Sequence, residues 1–197
     1  MKIIIENMLI TQFDISFVDI SSYVGLAAVG AMTINLALGL LISMQYSPTR
    51  SWLHRRVPIS NLHEWIGYSA LFLSLLHPAI LPFTSIAKFT IWNILLPIDA
   101  PVQPMVFTIG AIALYSLIFI SIVAYFRSRF KYDFWKKLHY TSYVLVISFT
   151  IHGVLAKPSL NEHVSIGWLD AGKIFVELCA LLCAVITIWR VTQVREV

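Results

Sequence analysis

Polar and apolar positions along this chain fall into long blocks instead of alternating. Tyr23–Gln45 and Met105–Phe126 contain no Asp, Glu, Lys or Arg. Trp65–Phe83 and Tyr140–Ala156 are equally free of them, and Ile174–Trp189 carries only Glu177. Each block approaches the roughly 20 residues that a helix needs to cross the hydrocarbon of a bilayer. No water is present there to satisfy stray backbone groups, so such runs must be helical. The pattern predicts an all-α integral membrane bundle of five transmembrane helices. A tail over 1–22 is expected to lie at the interface, the membrane domain over 23–190, and a C-terminal tail over 191–197.

Composition agrees, with 58% hydrophobic and 12% charged residues, far from the usage of a soluble domain. The N-terminal stretch holds Lys2 but also Glu6, Asp14 and Asp19, and lacks the clean apolar centre of a signal peptide. Phe89–Ile98 is apolar but too short to span. With Pro97, Pro101 and Pro104 nearby it reads as a loop or short helix in the interface. Cys179 and Cys183 stand one turn apart in span five and read as packing residues, since there is no further cysteine to complete a site.

The basic residues orient the bundle. Arg50, Arg55, Arg56, Arg127, Arg129, Lys131, Lys136, Lys137, Arg190 and Arg195 fall on one side of a five-span topology, against Lys2, Lys88, Lys157 and Lys173 on the other. The positive-inside rule then places the N-terminus outside and the C-terminus in the cytoplasm of a multi-pass cell membrane protein, by expectation in a bacterial inner membrane. Anionic lipid accounts for the positive charge, and no nucleic-acid partner is expected. Trp52, Trp65, Trp135, Trp168 and Trp189 lie near span ends and read as interfacial anchors.

Four of the six histidines fall in spans. His63 and His77 belong to span two, His139 and His152 to span four. Both spans run outward from the cytoplasm, so His63 shares a level with His139, and His77 with His152. At a rise of 1.5 Å per residue the two levels stand about 20 Å apart. Two histidine pairs at two depths suit two haems, each iron ligated by one imidazole from each helix. Chlorin or another metal is the alternative, and any one histidine alone would read as a packing residue or part of a proton path. One phase is imperfect. Fourteen residues nearly complete four turns, but thirteen fall more than about 100° short, so His139 is expected on an irregular first turn.

The pairs H-x13-H and H-x12-H, the second preceded by FWKKLH, resemble the ferric reductase-like transmembrane domain over roughly Tyr23–Arg190. That resemblance implies bis-histidine b haems on His63, His77, His139 and His152. It departs from the family's usual form in two ways: a first span is missing, and no cytoplasmic domain for flavin and nicotinamide follows before Val197. No glycine-rich phosphate loop is present. The chain therefore resembles the stand-alone bacterial members and is expected to need a separate electron donor, and the retained His63 distinguishes it from members of the methionine sulfoxide reductase branch that lack a ligand there.

The expected function is transmembrane electron transfer, from a cytoplasmic flavoprotein or quinol through two haem b groups. The acceptor outside would be ferric iron, dioxygen or a periplasmic redox partner. As an enzyme the chain would be one component of a ferric reductase-like oxidoreductase. A cytochrome b anchor of a larger respiratory complex is the nearest rival, and a transporter with a histidine relay is the rival from another class. Almost no other ionisable residues lie in the spans, which argues against the relay. Glu64, Arg55, Arg56, Lys136 and Lys137 are candidates for inner propionate contact or partner docking. Asp170, Lys173 and Glu177 share a face of span five near the outer level, and Pro78 is a candidate kink. His54 and His163 read as unliganded loop residues.

Overall fold

A computed structural model describes residues 17–44, 58–84, 88–156 and 170–194. Lys2, Glu6, Asp14, Arg50, Trp52, His54, Arg55, Arg56, Lys157, His163, Trp168 and Arg195 lie outside the described residues. The chain forms α1 (Phe17–Ser43), α2 (Ile59–Ala79), α3 (Ile91–Leu95), α4 (Pro104–Tyr125), α5 (Tyr132–His139), α6 (Ser142–Leu155) and α7 (Ala171–Val194). Among the described residues five stretches are long and apolar enough to cross a membrane, with α5 and α6 together making the fourth.

The helices begin earlier than the charge-free blocks. α1 takes in Phe17–Ser22, because Asp19 sits in its first turn, where the positive end of the helix dipole favours a carboxylate. α2 starts directly after Pro58, so His63 is held within regular helix. Pro78 lies one residue before the end of α2. There it helps to end the helix instead of kinking its middle. The short apolar segment is the helix α3, closed by a capping box in which Asn93 N–H donates to Thr90 Oγ1 and Thr90 N–H to Asn93 Oδ1. Phe89 beside it packs with Val18, Leu81 and Ala100, which seats this segment over one end of the bundle.

α1 packs most extensively on α2, α4 on α6, and α7 closes the bundle against α1 and α6. The core is built from Ala28, Val29, Met32, Ala70, Leu117, Phe149 and their neighbours. Small residues let the backbones approach: a Cβ on Gly153 would meet Val176 at 3.0 Å. Cys179 and Cys183 are free and buried. Hydroxyls inside the spans donate to carbonyls three or four residues back, as Ser22, Thr33, Ser69, Ser121 and Thr187 do. That satisfies them without water. Phe72, Ile122, Ile147, Leu181 and Ile188 face outward. An apolar surface this continuous belongs in lipid, and the protein is a multi-pass membrane protein in contact with the bilayer.

Candidate functional site

α2 and α6 run parallel through the bundle, and their histidines meet level by level. The rings of His63 and His139 have centroids 6.3 Å apart at an interplanar angle of 70°. Those of His77 and His152 stand 6.2 Å apart at 74°. Two imidazoles on opposite sides of one metal ion, each bonded at about 2.0 Å, would have centroids about 6 Å apart. Both pairs match that spacing.

The phase mismatch in the fourth span is resolved by a break. α5 ends at His139, and Tyr140 and Thr141 form a turn before α6 begins. Thr141 N–H reaches back to Leu138 and Tyr143 N–H to Tyr140, three residues each. A turn of three residues winds by about 20° more per residue than an α-helix, which recovers part of the shortfall. The break turns His139 toward His63 while His152 faces His77.

Three of the four rings are fixed from behind in the same way. His63 Nδ1 donates to the carbonyl of Asn35 at 2.9 Å, His77 Nδ1 to that of Ser21 at 2.7 Å, and His152 Nδ1 to that of Val106 at 2.8 Å. A carbonyl only accepts, so Nδ1 carries the proton and Nε2 keeps the lone pair that a metal requires. Four residues after each carbonyl stands a glycine. A Cβ on Gly39 would lie 3.1 Å from the His63 ring, on Gly25 2.9 Å from that of His77, and on Gly110 2.7 Å from that of His152. The absent side chain is what lets each ring lie against the neighbouring helix and reach its carbonyl. Sequence reading missed these glycines. A signal existed: Gly25 and Gly39 on α1 have the same spacing as His63 and His77 on the antiparallel α2.

The His77 level is reinforced further. Ser21, 1% exposed, donates its hydroxyl to the His77 carbonyl at 2.8 Å. A cavity of about 490 Å³ surrounds this pair, its walls mostly apolar or small, with Asp19, Asn93, Asp170 and Lys173 among its polar lining. Ser74, one turn before His77, lines it too, and its hydroxyl oxygen is buried without a partner. The His63 level differs. His139 Nδ1 has no partner, and its ring stacks on Trp135 with centroids 5.1 Å apart and planes 20° apart. Trp135 is thus not merely an interfacial anchor.

Three of the candidate charges near His63 and His139 lie at the surface or over a ring. Glu64 is exposed and accepts from the Tyr68 hydroxyl at 3.1 Å. Lys136 lies 5.9 Å over the Tyr132 ring, and Lys137 is exposed. Of the charged trio at the start of span five, Asp170 and Lys173 line the cavity, while Glu177 is exposed and does not.

The residues present fit a haem. Among the described residues no group of three or more His, Cys, Asp or Glu gathers to hold a metal ion. Each level instead brings two imidazoles together, the number a metal would need when a macrocycle fills the other four positions. A family model described as the ferric reductase like transmembrane component matches residues 24–150, well over half of the chain. The match takes in His63, His77 and His139 and stops just short of His152. No curated protein and no solved structure gives a match.

Proposed function

Since the chain belongs to the ferric reductase-like transmembrane family, we propose that it passes electrons across the membrane through two b haems. His63 and His139 would hold one, His77 and His152 the other. The observation that carries this reading is the pair of ring separations, 6.3 and 6.2 Å, at two depths of one bundle. The haems supply the one-electron chemistry when bound. The chain's own residues hold three of the four imidazoles in one tautomer, orient them through the carbonyls of Asn35, Ser21 and Val106, and surround them with apolar wall. With one imidazole from each helix committed to each level, a haem held there would serve electron transfer and not substrate binding.

The end of the bundle at His63 carries Arg127, Arg129, Lys131, Lys136, Lys137 and Arg190, against Lys88 and Lys173 at the other, among the described residues. That asymmetry supports a cytoplasmic His63 level and an outer His77 level. Electrons then enter at His63/His139 from a flavoprotein or quinol. They leave from His77/His152 to ferric iron, dioxygen or a redox protein outside. A histidine relay for transport fits less well, because three of the four Nδ1 atoms are committed to backbone carbonyls.

Pyridine haemochrome analysis of the purified protein tests the reading. Two b-type haems per chain with low-spin spectra are expected; the chain has no C-x-x-C-H attachment motif. A ratio of one, or none, refutes the two-haem arrangement.

A further inference from the structure

A second aromatic assembly adjoins the His63 level, and it opens to the surface. A pocket of about 430 Å³ is lined by Tyr125, Arg127, Ser128, Phe130, Tyr132 and Trp135, where α4 ends and α5 begins. Trp135 belongs to both structures. It forms one wall of this pocket and stacks on His139, whose ring is 6.3 Å from that of His63. Ring contact is therefore continuous from the pocket to the histidine pair.

The geometry points to this pocket as the entry site of a quinol, a membrane-soluble aromatic diol. The inference rests on the electron-transfer reading and names its donor. Four of the six lining residues are aromatic, which suits a planar ring. Tyr125 and Tyr132 are 72% and 61% exposed at the end of the spans, the depth where hydrocarbon gives way to water. A donor dissolved in lipid reaches that depth directly. The lining hydroxyls of Ser128 and the two tyrosines offer hydrogen-bond partners for ring oxygens.

The charges favour a quinol over a flavin nucleotide. Arg127 lies 4.8 Å over the Trp135 ring and Lys136 5.9 Å over that of Tyr132, so these two cations cover rings instead of converging on a phosphate. The first turn of α5 carries Asp133, which opposes a phosphate at that helix end. The Arg127 charge favours loss of the first quinol proton. The step balances as one quinol giving one quinone, two protons to water at the basic end, and two electrons. The electrons pass singly by way of Trp135 and His139 to two one-electron acceptors, the haems of the proposed reading.

The test uses the full-length haem-loaded protein in phosphatidylcholine nanodiscs, with duroquinol as reductant and duroquinone as binding probe. Haem reduction should saturate with duroquinol, and duroquinone should quench tryptophan fluorescence in the wild type more than in Trp135→Phe. Trp135→Leu should slow reduction at saturating quinol about tenfold, a loss of about 1.4 kcal/mol. Arg127→Gln, which leaves the Trp135–His139 stack in place, should raise the half-saturating concentration about threefold, the worth of one exposed cation–π contact. Dithionite should still reduce every variant fully. Reduction that never saturates and is the same in Arg127→Gln overturns the proposal, even where Trp135→Leu fails to load haem. So does saturable reduction by reduced flavin mononucleotide with none by duroquinol. A preparation without haem refutes the electron-transfer reading instead, while the fluorescence measurement still reports on the quinone site.

Discussion

The two histidine levels have nearly the same ring spacing but are built to different standards. At the His77 level both imidazoles donate to carbonyls, both lie against glycine, and both belong to regular helices inside a shared cavity. At the His63 level one imidazole is anchored this way, while His139 rides on a separate eight-residue helix and is steadied by stacking on Trp135. A ring fixed by a backbone carbonyl keeps its tautomer and direction before any cofactor arrives. A ring fixed by stacking alone keeps its plane and can slide within it. The His77 level is thus the preorganised one. The level facing the basic end trades rigidity for aromatic contact with the surface.

The largest effect should come from filling the glycine behind the best-held ring. Gly110→Ala would place a methyl 2.7 Å from His152, and such overpacking costs about 1–3 kcal/mol before the lost carbonyl bond is counted. Haem content should fall from two per chain to one, with the His77 component missing. Gly25→Ala, at 2.9 Å, should do the same less completely, and Gly39→Ala, at 3.1 Å, should keep both haems with a shifted His63 component. Haem quantification across the three variants checks the ranking. Equal loss in all three would remove the comparison's basis.

Next in size is the rate of haem release. His139 lacks the Nδ1 hydrogen bond that the other three rings make, a difference of about 1 kcal/mol. Transfer of haem to an apo-acceptor in excess should therefore be biphasic, with the His63 level emptying about fivefold faster. A single phase, or earlier release from His77/His152, would mean that stacking on Trp135 holds as firmly as a carbonyl.

Much of this was legible in the sequence, and what was not has a common cause. The spans follow from charge-free blocks such as Met105–Phe126, and the histidine levels from spacing within single helices. The break after His139 is foreshadowed by a thirteen-residue interval that an unbroken helix cannot phase. The carbonyls of Asn35, Ser21 and Val106 and their glycines were illegible one helix at a time, because each acts on a ring carried by another helix. Trp135 read as an anchor although it stands four residues before His139 on α5, a spacing that puts both rings on one face of the helix. The early start of α1 was hidden by Asp19, which hydropathy counts against a span although a helix N-terminus welcomes it.

A smaller effect separates anchor from reinforcement at the His77 level. Ser21→Ala removes the hydroxyl bond to the His77 carbonyl but leaves the Ser21 carbonyl that holds Nδ1. It should cost about 1 kcal/mol of stability and keep both haems. Thermal unfolding followed in the visible band measures it, and loss of the His77 haem would show that the hydroxyl, not the carbonyl, holds the ring.

The central claim is the pairing, and redox titration of four single variants tests it most directly. His77→Ala and His152→Ala should each delete the same component of a two-step titration, and His63→Ala and His139→Ala should each delete the other. The levels stand about 20 Å apart along the helices, too far for one macrocycle to be ligated from both. Loss of one and the same component in His63→Ala and His152→Ala would contradict the parallel arrangement of α2 and α6, and the account of both sites with it.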